Sequence, residues 1–549
     1  MSLGLGLLAA LIVLSGCMTG RPAAGPPAEP SAAPGTGIGA ASSCWSSPAQ
    51  RGTPEISFSD VTDDRGLTEP LLGMFGHAAA WGDVNGDGWV DLFVGTFADK
   101  PTEEYRVRGA TGPSPDRLLL GSPDGFKSDA RFPELYGRTS GAAFADLDID
   151  GDPDLVVSRN VRPQDGGRPT DVLRNDEGTF SVVEDAGIPA VGGRSVGVLD
   201  ANGDELLDLF IAEDRWVGGS SVLLRNLGGL RFAEVTAEVG IPGDVHGLGV
   251  GTADLTGNGW TDLFVAGSNR LFVANGDGTF REAPSEVFRW EAYGGEDDVS
   301  GVSFGDLNRD GLPDLVLGHH YNSTVDQGQR VPIRVYLHRG LDDDGTPRFE
   351  DVTPATGLPA LPTKAPHVEV NDFDNDGWPD ILATASAESG TRPVVFRHLG
   401  LEGDVPRFSA PSGIGDPHYW VTGTSADVDR DGRLDVLLVD WEPDRPSLLL
   451  RNESDSGNWL SISVGPDYGR GIGTRVAAFR PGAVGDLEGL IASGQITGSQ
   501  GYAAGSAPVV HLGLAEADTV DLRLQLPGED AVDLLAVGTN QHLQVPAGC

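Results

Sequence analysis

One nine-residue pattern occurs seven times in this chain, and it restricts the fold more than any other feature. It reads Asp-x-Asp/Asn-x-Asp-Gly-x-x-Asp and runs into a short apolar segment. The copies carry Asp83, Asn85, Asp87 and Asp91; Asp146, Asp148, Asp150 and Asp154; Asp200, Asn202, Asp204 and Asp208. They continue with Asp254, Thr256, Asn258 and Asp262; Asp306, Asn308, Asp310 and Asp314; Asp372, Asp374, Asp376 and Asp380; Asp427, Asp429, Asp431 and Asp435. Successive first Asp residues are 63, 54, 54, 52, 66 and 55 positions apart. A period of about 55 suits a four-stranded blade and not a helical solenoid unit.

The spacing is that of a cation loop. A hard divalent cation takes six to eight oxygens at roughly 2.3–2.6 Å, and tight coiling turns positions 1, 3 and 5 inward. Gly at position 6 permits the sharp turn, a backbone carbonyl at position 7 contributes, and Asp at position 9 closes the shell. An EF-hand would need a longer loop ending in Glu with flanking helices, whereas strands such as Leu92–Val94 and Leu155–Val157 follow here. Carboxylates packed this closely repel unless a cation lies between them, so up to seven Ca²⁺ ions are expected. Copies two, six and seven, with four Asp each, should bind best; copy four, with two carboxylates, and copy three, with Glu205 in place of Gly, should bind most weakly.

Three more strands recur per repeat. A small-residue strand precedes each loop, as in Gly141–Ala145, and an apolar strand follows, as in Val172–Asn175 or Leu448–Asn452. A strand beginning at Phe126, Phe180, Phe232, Phe280, Phe349 or Phe408 completes each of six repeats. The seventh has none after Leu450, but Phe58–Thr62 stands before the first loop. A circularly displaced strand is the sign of a ring closed by its N-terminal segment. The expectation is an all-β protein: a seven-bladed β-propeller over residues 56–456 with a small C-terminal β-rich domain over 458–546.

Composition agrees. Gly 79 and Pro 38 in 549 residues are too many for a mostly helical chain. The formal charge of −43 argues against a nucleic-acid partner. Twenty-three of the 81 acidic residues stand at loop positions 1, 3, 5 and 9, so much of the acidity is placed, not scattered.

These blades resemble the FG-GAP/VCBS repeats of integrin-α-type propellers, over about residues 56–456. The stretch Phe58–Thr62, Gly66-Leu67, His77 and Trp81–Asp83 is similar to the cartilage acidic protein family and its bacterial relatives, which add an ASPIC/UnbV domain. The order Gly471–Val476, Ser499–Tyr502, His511–Leu514, Asp518–Leu522 and Asn540–Leu543 resembles that module, with Leu526-Pro527-Gly528 where a Trp-Pro strand is usual.

The chain starts with a short apolar run, Leu3–Leu14, of signal-peptide length, ending in Leu14-Ser15-Gly16-Cys17. This resembles a bacterial lipobox without the usual preceding Lys or Arg; residues 1–16 read as a signal peptide and Cys17 as the lipidation site. Residues 17–43, rich in Pro, Ala and Gly, read as a tether. The other two cysteines, Cys44 and Cys549, are a possible disulfide in an oxidising envelope compartment, or two free thiols.

No Gly-x-Ser-x-Gly elbow or His-Glu-x-x-His motif occurs. Adjacent His319 and His320 point to different strand faces, so joint metal binding is not expected. His77, His246, His367 and His418 precede loops and are candidates for lining the propeller channel. Two inserts, Ala98–Asp116 and His319–Val331, follow the same strand of their blades and should emerge on one face as partner-contact loops. No convergent Lys/Arg/Tyr/His cluster is visible. The reading is therefore a non-catalytic, calcium-stabilised binding or adhesion propeller for a protein or glycan. It is exported, monomeric and held to the cell envelope, periplasmic or surface, by its lipid alone. The alternatives are a calcium-dependent propeller enzyme acting on polysaccharide and an envelope assembly scaffold.

Overall fold

The computed structural model describes residues 55–161, 168–214, 218–288, 291–292, 295–296, 298–321, 330–385, 390–465 and 471–546. All of these lie in one compact unit, Pro54–Cys549. Cys17, Cys44, Cys549, the leader, the tether and 322–329 of the second insert lie outside the described residues.

Each repeat forms an antiparallel sheet in chain order. The first strands are Gly76–Gly82, Thr139–Ala145, Gly193–Leu199, Gly247–Ala253, Asp298–Gly305, Val368–Asn371 and Trp420–Ala426. The second strands start at Asp91, Asp154, Asp208, Asp262, Asp314, Asp380 and Asp435, the ninth residue of each loop. The protein is thus all-β in four-stranded sheets, with short helical turns such as Thr102–Val107. No helix among the described residues is long and apolar enough to cross a membrane. The seventh sheet takes its outer strand from the other end of the chain: Phe58–Asp60 pairs antiparallel with Leu448–Asn452.

One outer strand differs from expectation. Phe408 ends a separate hairpin, His398–Glu402 with Val405–Phe408, and the sixth sheet is completed by Ser412–Gly413. The ring of Phe408 still packs into the core beside Phe396, so an aromatic anchor alone did not define the strand.

The core lies between sheets. Seven apolar clusters each join two successive repeats, one of them uniting the first repeat (Trp81, Leu92) with the seventh (Leu437, Leu449). First strands need small residues because the next sheet approaches their backbone. A Cβ at Gly251 would lie 2.4 Å from Val302 Cγ1, and one at Gly249 would lie 1.7 Å from Ser300 O.

Residues 458–545 form two further sheets, Val510–Ala515/Asn458–Val464/Gln541–Val545 and Leu490–Gln495/Arg475–Phe479/Thr519–Gln525/Val532–Gly538. They enclose a core of Leu460, Ile462, Val476, Leu512, Leu522 and Leu524. The insert Ala98–Asp116 is bound to the body: Tyr105 is buried, donates to Phe97 O at 2.8 Å, and Arg108 pairs with Glu442 at 2.7 Å.

Candidate metal centres and the buried segment

Every loop folds by the same rule. Position 6 has φ of 68–98°, even where Glu205 replaces Gly, and position 4 is left-handed too, at 53–74°. That coil turns consecutive backbone N–H groups toward the first Asp. Asp372 accepts from Asp376 N at 3.1 Å and Gly377 N at 2.6 Å; Asp427 accepts from Asp431 N at 3.0 Å and Gly432 N at 2.9 Å. The ninth Asp is a clip. In loop two, Asp154 accepts Leu147 N at 3.1 Å on one oxygen and Asn175 N of the third strand at 2.9 Å on the other. Each such oxygen retains a lone pair for a cation.

Three loops bring three carboxylate oxygens within 4.8 Å of one another: Asp146, Asp148 and Asp154; Asp372, Asp374 and Asp380; Asp427, Asp429 and Asp431. These are the three loops with four Asp. Among the described residues the other loops, with Asn or Thr at position 3, make no such group. Asp148 Oδ1, Asp429 Oδ1 and Asn202 Oδ1 are buried without any hydrogen-bond partner. Hard oxygen donors that are close, buried and unpartnered fit Ca²⁺.

The electrostatics agree. Burial is the main cause pushing Asp154 up to about 8 and Asp91 and Asp208 up to about 7. Desolvation first and neighbouring carboxylates second hold Asp372 well above the usual range. Without a counter-charge these groups prefer to be protonated; a dication reverses that preference. Guanidinium groups already lie at the rims of all three four-Asp sites, with Arg433 bonding Asp431 in loop seven. Arg174 reaches Asp148 at 2.6 Å, and Arg397 reaches Asp376 at 2.6 Å and also bonds Asp374.

The loops also lock neighbouring repeats. Asn175, Asn226 and Asn452 donate from Nδ2 to the carbonyl at position 2 of the preceding loop: Val84 at 2.8 Å, Leu147 at 2.7 Å and Phe373 at 2.8 Å. His338 and His398 do the same from Nε2 to Leu255 and Leu307, both at 2.9 Å.

The C-terminal sheets sit on this loop face. Ser493 Oγ donates to Asp306 at 2.6 Å, His511 Nε2 lies 2.8 Å from Asn375 Oδ1, and His542 Nε2 lies 3.3 Å from Asp427. Trp459 covers Gly432 so closely that a Cβ there would lie 1.9 Å from the indole.

From this domain, residues 499–507 run in among the repeats. Ala504–Gly505 pair in parallel with Ala79 and Ala80, and Gly501 exchanges hydrogen bonds with Val302. Ala503 N donates to Ser195 Oγ at 3.1 Å, Tyr502 N donates to His367 Nδ1 at 3.1 Å, and Thr422 bonds Tyr502 O. A Cβ at Gly505 would touch Ala142 O, and Leu248 packs on Tyr502. First strands of all seven sheets therefore meet this one segment. Register shifts at their starts single out His77, Ser140, Arg194-Ser195, Leu248 and Val421, and these bulges turn the side chains inward.

Around Tyr502, which is fully buried, a polar cluster forms that sequence reasoning missed. Arg194 Nη1 lies 3.3 Å from His77 Nε2, 3.3 Å from Tyr502 Oη and 3.4 Å from Ser140 Oγ, while Asp214 takes its other edge at 2.7 and 3.0 Å. Burial pushes His320 down to about 3 and His319 to about 4, so both are neutral. Of the four histidines expected at the channel, His77 and His367 meet Tyr502, whereas His418 pairs with Asp440 at 2.7 Å. Tyr502 and His77 are 425 positions apart, and the only hint was the Ser499–Tyr502 motif itself.

Residues 200–265, 254–317 and 372–438 match the FG-GAP-like repeat, and residues 75–107 match the FG-GAP repeat. The chain carries FG-GAP repeats. They are integrin-α-like: human integrin alpha-7 is 31% identical over 202 residues, 32% of this chain and only 14% of that protein's length. Among solved structures, an Agrocybe aegerita lectin recognising non-reducing terminal N-acetylglucosamine is 17% identical, covering 68% of this chain and 87% of its own at a TM-score of 0.41. The exotype rhamnogalacturonan lyase YesX is 15% identical, covering 68% and 71% at 0.38. The V. cholerae biofilm matrix protein Bap1 is 15% identical, covering 89% and 72% at 0.33. The FG-GAP matches fall on loops one and three to seven, the sites described above.

Proposed function

We propose that the FG-GAP repeats form a closed seven-bladed propeller, stabilised by Ca²⁺ held at positions 1, 3, 5 and 9 of its loops, that serves as a non-catalytic binding module. Closure is supported by the pairing of Phe58–Asp60 with Leu448–Asn452 and by the core shared between the first and seventh repeats. Residues 458–546 act as an ASPIC/UnbV-type module capping the loop face. Residues 1–16 direct export, Cys17 carries the lipid, and 17–43 tether the body to the cell envelope. The partner is a protein or glycan.

The observation that carries the binding reading is the filling of the centre by the chain's own Gly501–Ala507 segment. Arg194 there is neutralised by Asp214 and bonded to His77, Ser140 and Tyr502, and burial pushes Tyr502 up to about 12. The loops facing away from the metal centres, such as Ala98–Asp116, are then the contact surface. Glycan arrays followed by product analysis test this: retention without cleavage is expected, and release of shortened or unsaturated products would refute it.

The polysaccharide-enzyme alternative has one observation in its favour, the convergence of Arg194, His77, His320 and Tyr502. In that case Arg194→Ala abolishes product formation while the chain stays folded.

A further inference from the structure

The fourth loop differs from the other six in its donor set. It offers only two carboxylates, against three or four in each other loop, and both accept backbone amides as their counterparts do. Asp262 accepts Ala274 N at 2.8 Å and Leu255 N at 2.9 Å. Asp254 Oδ1 accepts Gly257 N at 2.8 Å, Asn258 N at 3.2 Å and the Thr256 hydroxyl at 3.4 Å; Oδ2 accepts Gly259 N at 3.0 Å. Asn258 Oδ1 is taken by Trp260 N at 2.8 Å. Position 3 is thus a hydroxyl that gives its proton to Asp254, and position 5 is a neutral amide where each of the other six loops carries Asp.

A guanidinium stands at this loop, as at loops two, six and seven, but here it faces two carboxylates instead of four. Arg475, on the first long strand of the second C-terminal sheet, brings Nη1 to 3.7 Å from Asp254 Oδ2 and donates from Nη2 to Gly311 O at 2.9 Å. The same Nη1 lies 3.4 Å from where a Cβ at Gly257 would stand. Gly at position 4 leaves room for the guanidinium, where loops five to seven carry Arg309, Asn375 and Arg430. Two more bonds seat the domain here: Asp254 N donates to Gln495 Oε1 at 3.0 Å, and Gly528 N donates to Gly259 O at 3.2 Å.

The donor set of loop four does not fit Ca²⁺ as the other loops do. We infer that loop four holds no metal and that the Arg475 guanidinium supplies its positive charge, making it a calcium-independent anchor for the C-terminal domain. This rests on the reading that the remaining loops bind calcium. Loss of the extra carboxylates at positions 3 and 5 then has a structural counterpart. A guanidinium needs one carboxylate and one carbonyl in line, which Asp254 and Gly311 provide, whereas a dication needs a shell of oxygens.

Native mass spectrometry of the folded, calcium-saturated chain counts bound ions. Asp148→Asn is expected to lower the count by one, and Asp254→Asn to leave it unchanged. A drop of one with Asp254→Asn, or seven ions in the unaltered chain, overturns the inference. No drop with Asp148→Asn overturns the calcium reading instead, which separates the two failures. Because Asp254 also organises its loop, a second variant adds a gain-of-site test. Thr256→Asp with Arg475→Met is expected to bind one ion more than the unaltered chain; an unchanged count contradicts the inference.

Discussion

Removing the Tyr502 ring tests whether the threaded segment holds the C-terminal domain to the repeats. The side chain is fully buried among Leu248, Val421 and Ala503, and its hydroxyl makes two long hydrogen bonds, 3.3 Å to Arg194 and 3.4 Å to His77. Truncating a buried aromatic to Ala costs about 3–5 kcal/mol, most of it lost packing and residual cavity. Removing only the hydroxyl costs about 1 kcal/mol, because Arg194 keeps Asp214, His77 and Ser140 as partners. At about 1.4 kcal/mol per tenfold, Tyr502→Ala should raise the opening equilibrium of the segment by roughly two to four orders of magnitude, and Tyr502→Phe by roughly tenfold or less. Native-state hydrogen exchange reads this at the amides of Gly501, Tyr502 and Ala503, whose acceptors are Val302 O, His367 Nδ1 and Ser195 Oγ. Leu512, paired with Leu460 within the C-terminal domain, is the internal reference. If Tyr502→Ala leaves those three amides within threefold of the unaltered protein while Leu512 is unchanged, the ring does not hold the segment and the reasoning fails.

In the presence of chelator, calorimetry should show the melting temperature rising as pH falls from about 8 to about 5. The folded-state values of Asp154, Asp91 and Asp208, at about 8, 7 and 7, lie above the unfolded carboxylate range, so the folded protein binds more protons across that window. With saturating calcium the trend should reverse, because protons then compete with the metal for the same oxygens. Asn226→Ala removes donors to Leu147 O at 2.7 Å and Leu207 O at 3.0 Å and should destabilise by about 1–3 kcal/mol in urea titration; a change below about 0.5 kcal/mol would deny the inter-repeat lock. Gly432→Ala forces a Cβ into the Trp459 indole at a φ of 85°, so limited proteolysis should release the 458–546 domain faster, and unchanged cleavage would place that contact outside the docking surface.

The acidic-loop conformation and most strands were legible in the sequence because their determinants are local. A carboxylate at position 9 that clips two backbone amides also starts the next strand, so one residue marks both. Position 4 was not legible as a turn position. Its left-handed conformation is carried by Ile149, Arg309, Asn375 and Arg430 as well as by glycines, since the loop's bonds to the first Asp outweigh the cost for a β-carbon. The sixth outer strand was misread because Phe408 serves the core from a hairpin instead of from the sheet. The cluster of His77, Arg194 and Tyr502 was invisible because no local pattern links residues brought together by bulges and by a segment more than 300 positions away.

The partnership of Phe58–Asp60 with Leu448–Asn452 sets a timetable for the newly made chain. Ser59 and Arg451 are register partners, so this strand, the first among the described residues, waits for nearly the whole repeat region to be made before it is paired. Until Leu448–Asn452 has been made, Phe58–Asp60 has no ladder partner. Proteolysis past Asp60 in the folded molecule has the opposite result: it leaves Leu448–Asn452 with an open strand edge able to recruit another chain.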